Sequence, residues 1–166
     1  MNREKNVINA TVIVASDRVV SGERDNSAGE LAATLLRDAG LDVADPRVLP
    51  EGRQAVSEAL ADARSAGHRV IVTVGGTGLG PRNLTPEATA PHIAVELTGL
   101  MTQVLLAGLA NTEQAGLSRG IIGLTGRGSE DALIVNVPSS RGGVRDALGV
   151  VCPLLPNIFE RLDRGD

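Results

Sequence analysis

The stretch Val70-Ile71-Val72-Thr73-Val74-Gly75-Gly76-Thr77-Gly78-Leu79-Gly80-Pro81-Arg82-Asn83-Leu84-Thr85-Pro86-Glu87 decides how this chain is read. Val70 to Val74 is a mostly β-branched apolar run, which predicts a buried strand. Four glycines follow within six positions: Gly75, Gly76, Gly78 and Gly80. Thr85-Pro86-Glu87 then reads as a helix start, with Thr85 as the N-cap hydroxyl, proline at the first helical position and an acid in the first turn. Strand, glycine-rich loop and helix start in that order let backbone N–H groups converge on an anion. Arg82 inside the loop points the same way. The glycines also fit a tight connection alone, but the loop is longer than a turn requires. It is neither a P-loop, since no Gly-Lys-Ser/Thr follows, nor a dinucleotide fingerprint, since the glycine spacing differs.

Outward from this stretch, strand and helix signals alternate. Thr11 to Ala15 predicts a short strand, followed by Ser16-Asp17-Arg18 and a glycine-containing loop to Asp25. Ala28, Leu31, Ala32, Leu35, Leu36 and Ala39 recur at helical spacing up to Gly40, as do Val56, Ala59, Leu60 and Ala63 up to Gly67. Val43 to Leu49 reads as extended, broken at Asp45-Pro46. After Thr85 the pattern predicts a helix to about Glu96, interrupted by Pro91. An apolar helix from Gly99 to Gly108 reads as buried in the core or in a subunit contact. Ile121 to Thr125 and Leu133 to Val137 read as strands. A final helix follows Pro138-Ser139-Ser140 and is bent or restarted at Pro153 and Pro156. Apolar strands separated by helices of this length predict a three-layer, doubly wound α/β fold with a mostly parallel sheet. Residues 1–8 read as a polar tail and 9–163 as a single domain, without internal repeat or linker.

In such a sheet ligands bind beyond the carboxyl ends of the strands. The polar segments predicted there are Ser16–Gly22, Leu49–Arg53, Gly75–Thr85 and Asn136–Arg141. Ser139 or Ser140 can cap the last helix or contact a ligand, and Arg141 or Arg145 at its start is expected to answer a negative group.

Composition narrows the chemistry. The only lysine is Lys5, so Schiff-base chemistry and a P-loop lysine are excluded from any site built on the rest of the chain. Phe159 is the only aromatic residue and the net charge is -4, which argues against nucleic acid as a partner. His68, His92 and Cys152 show no zinc-ligand spacing, and the two histidines are expected to be solvated or to cap helix ends. One cysteine among apolar neighbours, the lack of a signal pattern and the lack of a membrane-length apolar run predict a soluble, cytoplasmic protein with a core thiol. Catalysis would then fall to carboxylates, arginines, backbone amides and a divalent ion.

The motif Gly75-Gly76-Thr77-Gly78-x-x-Pro81-Arg82-Asn83-x-Thr85-Pro86-Glu87-Ala88-Thr89 resembles the signature of the MoaB/Mog family of molybdenum cofactor biosynthesis. The likeness extends through Ser16-Asp17-Arg18, Ser21-Gly22, Leu117-Ser118-Arg119 and Asn136-Val137-Pro138. It implies a molybdopterin-binding fold, a homotrimer or homohexamer, molybdopterin as substrate or ligand, and, in Mog-type enzymes, Mg²⁺ and ATP. Those enzymes adenylylate the terminal phosphate of molybdopterin and release pyrophosphate, a transfer that needs mainly positioned charge from the protein.

By the same resemblance, Gly75, Gly76, Thr77 and Gly78, with Arg82 and Thr85, cradle phosphate or the anionic end of the pterin. Ser118 contacts a nucleotide phosphate with Arg119 beside it, and Pro138, Ser139 and Ser140 flank the nucleotide. Glu51 and Asn83 occupy the two catalytic-acid positions, with Glu51 as the metal-binding side chain. Both are aspartates in the active Mog-type pattern. Other departures are Asp25-Asn26-Ser27-Ala28 at the first long helix, Ser139-Ser140-Arg141 after the last strand, and Thr102 and Leu105 after Gly99. Because Asn83 is neutral where magnesium prefers carboxylate, two readings stand: a molybdopterin adenylyltransferase, or a non-catalytic paralogue that binds molybdopterin or a protein.

Overall fold

The computed structural model describes residues 6–165, so Lys5 and most of the predicted polar tail lie outside the described residues. The elements are β1 (Asn9–Ala15), α1 (Asp17–Val20), α2 (Ser27–Asp38), β2 (Asp42–Val43), β3 (Arg47–Leu49), α3 (Arg53–Ser65), β4 (Val70–Val74), α4 (Thr85–Thr89), β5 (Val95–Glu96), α5 (Thr98–Leu109), β6 (Ile122–Leu124), β7 (Leu133–Val137), α6 (Arg141–Val151) and α7 (Leu155–Arg164). They build one sheet in the order β2-β1-β4-β7-β6-β5, with β3 also paired to β1. Pairings among β1, β2, β3, β4 and β7 are parallel, and β5 and β6 close one side antiparallel.

The period-2 alternation of the strands sorts their side chains into two cores. Val12, Val14, Val70, Val72, Val74, Val135 and Val137 pack with residues of α2, α5, α6 and α7, among them Ala32, Val104, Val144 and Phe159. Ile13, Ile71 and Ile134 face the other way, against Val56 and Leu60 of α3 and Ala88 of α4. Strands buried on both faces must be apolar throughout, which is why β4 reads as a continuous run rather than an alternating one. The result is the expected three-layer α/β fold with a mostly parallel sheet.

One polar tie crosses the inner strands. Asn136 Nδ2 donates to Thr73 Oγ1 at 2.9 Å and to Thr89 Oγ1 at 3.0 Å, while Ile121 N donates to Asn136 Oδ1 at 3.1 Å. Asn136, Thr73 and Thr89 are all buried, and the mutual bonds offset the cost of taking them out of water. Arg69 makes a second tie. Its Nη1 meets Asp163 Oδ1 at 2.8 Å, its Nε donates to Asp131 O at 3.1 Å, and its guanidinium lies 4.7 Å above the Phe159 ring.

Two expectations are corrected. The helix predicted from Thr85 to about Glu96 stops at Thr89. Pro91 lacks an N–H, and the chain leaves through a 3₁₀ turn, Ala90–His92, into β5, which gains antiparallel pairing with β6. Thr85 is not the N-cap: Leu84 holds that position, and buried Thr85 Oγ1 has no partner among the described residues. The apolar helix α5, read as buried in the core or in a subunit contact, turns one side to the core. Leu100, Val104 and Gly108 face the core, whereas Leu106 is 62% exposed. Two short elements escaped the pattern: α1, capped by Ser16 Oγ accepting from Val19 N, and the 3₁₀ turn Glu113–Leu117. The restart at Pro153 and Pro156 takes the form of a 3₁₀ turn, Cys152–Leu154, leading into α7. Cys152 is half-buried against the core, and burial pushes its thiol up to about 11. Among the described residues no helix is long and apolar enough to cross a membrane.

Candidate functional site

All four predicted polar segments follow strands that run parallel, so β1, β3, β4 and β7 deliver them to one end of the sheet, beyond the carboxyl ends of the strands. The glycine-rich loop sits among them, and its glycines are required by space as well as by angle. Gly75 has φ +94°, and a Cβ there would stand 2.5 Å from Ala15 O; its own N donates to Val137 O at 3.0 Å. Gly76 has φ +71°, and a Cβ would run into Thr85 Oγ1. At Gly78 a Cβ would press on Asn83 Oδ1 at 2.8 Å. The loop is therefore pressed between the strand-end turns, with side-chain-free backbone along it.

Both arginines assigned to ligand binding hold the loop itself. Arg82 grips Asp17 through Nε to Oδ2 at 2.7 Å and Nη2 to Oδ1 at 3.0 Å, and also donates to Glu51 O at 2.7 Å. Arg82 holds the Asp17 carboxyl below the usual carboxylate range. Arg119 Nε donates to Gly78 O at 3.0 Å and its Nη2 to Asn83 O at 2.7 Å, while Nη1 pairs with Glu87, whose carboxyl is lowered in turn. Five-donor planar groups suit this multi-carbonyl clamping. Asp17 stands in the quoted motifs without a role, and Glu87 only as the acid of a first helical turn. The signal for Asp17 is its place two residues after the end of β1, at the same end of the sheet where the glycine-rich loop leaves β4.

Glu51 and Asn83 come together, 32 residues apart in sequence. Asn83 Nδ2 donates to Glu51 Oε1 at 2.6 Å, and Asn83 Oδ1 accepts from Gly80 N at 3.0 Å. Glu51 N donates to Asp17 Oδ1 at 3.1 Å, and Asp17 N to Glu51 Oε2 at 3.4 Å. Glu51 is the one carboxylate of this cluster without an arginine at its oxygens. It can give one oxygen to a magnesium ion whose other ligands are phosphates and water, which is the ion's usual habit. Among the described residues no group of three or more His, Cys, Asp or Glu converges as an all-protein cage.

On the other side of the loop lies a cavity of about 500 Å³ between α5, the Glu113–Leu117 turn and the start of α6. Ser118, Pro138 and Ser140 line it. Ser118 Oγ donates to buried Thr77 Oγ1 at 3.1 Å, joining cavity and loop. Ser140 caps α6, accepting from Gly143 N at 3.0 Å. Ser139 does not line the cavity; its carbonyl accepts from Arg24 Nη2 at 3.3 Å. Arg141 Nη1 donates to Ser27 O at 3.4 Å. Asn111, Asp146 and Glu96, also in the lining, were not anticipated, because none stands in a motif.

The histidines depart from expectation too. His92 is held between Ser57 Oγ and Arg64 Nη1, each at 3.2 Å, and burial with the nearby Arg64 charge lowers its pKa. His68 Nδ1 is buried without a partner among the described residues. Neither lines the cavity.

Residues 11–157 match the protein family described as "Probable molybdopterin binding domain". Among curated relatives, a "Molybdenum cofactor biosynthesis bifunctional protein" of Synechococcus elongatus is 32% identical over 95% of this chain and 48% of its own length. The chain thus spans about half the length of that relative. A "Molybdopterin adenylyltransferase" of Pyrococcus furiosus is 32% identical over 84% of this chain and 82% of its own. Among solved structures, a Corynebacterium diphtheriae protein with a provisional molybdenum cofactor biosynthesis name is 47% identical. It covers 94% of this chain and 98% of its own, with a TM-score of 0.87.

Proposed function

Given that this chain belongs to the molybdopterin-binding family of molybdenum cofactor biosynthesis, we propose that it binds molybdopterin and adenylylates it with Mg-ATP. A terminal phosphate oxygen of molybdopterin attacks the α-phosphorus of ATP. The new P–O bond forms as the bond to the β-phosphate bridging oxygen breaks, and pyrophosphate leaves. A phosphate nucleophile needs no base at neutral pH, in keeping with a site that has carboxylates, amides and hydroxyls but, among the described residues, neither lysine nor histidine. Magnesium, when bound, would neutralise charge on the phosphates.

The observation that carries this reading is the glycine-rich loop standing between Glu51 and the Ser118–Ser140 cavity. Loop amides face developing negative charge. Thr77 and Ser118 offer hydroxyls, Glu51 offers an oxygen to the divalent ion, and Asn83 keeps Glu51 in place. Arg82 and Arg119 act as positioning residues that fix the loop through Asp17, Glu87 and backbone carbonyls. Pyrophosphate release from Mg-ATP and molybdopterin tests the proposal. The wild type should turn over and Glu51→Ala should not. A wild type that neither turns over nor binds Mg-ATP by calorimetry refutes it.

A second reading, a non-catalytic molybdopterin-binding paralogue, is favoured by one observation: Asn83 is neutral and Asp17 is neutralised by Arg82, leaving a single unpaired carboxylate at the cluster. Under that reading wild-type turnover is at background and Asn83→Asp raises it.

A further inference from the structure

Thr85 is 1% exposed, and its hydroxyl has no hydrogen-bond partner among the described residues. Valine would fill the same space without stranding a donor, so the hydroxyl is costly where it stands. The backbone around it is firmly held. Thr85 N donates to Gly76 O at 3.0 Å, and Thr85 O accepts from Thr89 Oγ1 at 2.8 Å. Thr89 Oγ1 accepts in turn from Asn136 Nδ2, which fixes the surroundings of the hydroxyl to β7. A buried donor left unpaired in so well-bonded a setting points to a partner that it gains in another state of the loop.

The hydroxyl lies against Gly76, where a Cβ would run into it. Both peptides flanking the Gly75–Gly76 unit are bonded, Gly75 N to Val137 O at 3.0 Å and Gly76 O to Thr85 N. The Gly75–Gly76 peptide between them makes no hydrogen bond among the described residues, either through Gly75 O or through Gly76 N. Both glycines are buried, with φ of +94° and +71°. Glycine crosses between positive and negative φ at little cost, so this is the one peptide here that can turn while its neighbours stay bonded. Such a turn exchanges the sides on which its C=O and N–H lie. Two buried and unpaired groups, a hydroxyl donor and the acceptor Gly75 O, thus adjoin across Gly76.

We propose that Thr85 is a positioning residue for the loop: its hydroxyl donates to Gly75 O when the Gly75–Gly76 peptide turns its N–H toward a bound phosphate. Thr85 then acts through the backbone and does not touch the ligand. The new bond holds the peptide in its anion-facing state, and the unpaired groups of the described conformation belong to the ligand-free one. A phosphate draws the loop across by binding the turned state more tightly. The assignment rests on the reading that this loop takes phosphate. Inorganic pyrophosphate and Mg-ATP are titrated into the full chain by calorimetry, and the Gly76 amide is followed by heteronuclear NMR.

In the wild type either probe should shift the Gly76 amide signal and slow its hydrogen exchange at least about tenfold. Thr85→Val should melt at or above the wild-type temperature without ligand, because it removes an unpaired buried donor. It should nevertheless bind both probes about fivefold more weakly, the worth of one hydrogen bond. Thr85→Ser restores the hydroxyl and should bind within about twofold of the wild type. Unchanged affinity in Thr85→Val overturns the assignment, as does a Gly76 amide that neither probe moves. So does a Thr85→Val that melts well below the wild type or does not fold, since the hydroxyl would then be bonded already. Failure here is separable from failure of the adenylylation reading. Thr85-dependent pyrophosphate binding without turnover refutes only the latter. Adenylylation with unchanged kcat and KM in Thr85→Val refutes only the former, and a wild type that binds neither probe refutes both.

Discussion

Replacing Asn83 by aspartate changes one atom of the loop and should change what holds it together. The Asn83 amide now donates to Glu51 at 2.6 Å. Asn83→Asp would set two carboxylates against each other at that separation, with Oδ1 still bound to Gly80 N. Two unit charges so placed repel by about 2 kcal/mol at the dielectric of water and about 6 kcal/mol at an effective value near 20. Both residues are half-buried and can swing apart, so the lower figure applies, together with the lost hydrogen bond of about 1 kcal/mol. A loss of about 3 kcal/mol corresponds to a Tm lower by roughly 6–12 °C for a domain of this size. The pair can relieve itself by sharing a proton or by binding a cation. The deficit should therefore shrink as pH falls from 8 to 5, and shrink at pH 8 when millimolar Mg²⁺ is added, with neither change seen in the wild type. Differential scanning fluorimetry across pH, with and without Mg²⁺, reads all of this. If Asn83→Asp melts with the wild type at pH 8 in EDTA, Asn83 does not clamp Glu51 and the account of the cluster is wrong.

Gly76→Ala should destabilise the chain by about 2 kcal/mol or more, since it combines a left-handed φ with a clash on buried Thr85; urea denaturation checks this, and a midpoint unchanged from the wild type would contradict it. Asn136→Leu fills the same space but strands Thr73 Oγ1 and Ile121 N, at a cost of about 3 kcal/mol for the buried groups; a stability loss below about 1 kcal/mol would mean the tie contributes nothing. The lowered pKa of His92 means that the unfolded chain binds its proton first as pH falls, so stability should decline on acidification below about 6.5. His92→Gln should flatten that decline in Tm against pH.

Much of the fold was legible because its signals are local. The apolar runs at Val70–Val74 and Leu133–Val137, the helical spacing ended by Gly40 and Gly67, and the prolines at 153 and 156 each act within a few residues. The helix after Thr85 was misread because a strand of two residues, Val95–Glu96, carries no pattern of its own and exists through its pairing with β6. Thr85 looked like a cap because its neighbours fit one, yet Gly76 approaches it across the loop and its buried hydroxyl has no partner among the described residues.

For the site, composition and motif set which residue types were available. There is a loop that must be glycine-rich, a chain almost without lysine, and a glutamate and an asparagine at the two acid positions of a recognisable pattern. Tertiary structure alone decided what those residues do to one another. Arg82 and Arg119, read as ligand-binding cations, turned out to be bound to Asp17 and Glu87, which lie 65 and 32 residues away. Asp146 and Asn111, 35 residues apart, meet through a hydrogen bond only because the fold brings α5 and α6 together over a cavity. The reason is physical. Backbone geometry and hydrophobic period depend on near neighbours, whereas the charge and hydrogen bonding of a side chain depend on whatever the fold brings within about 3 Å of it.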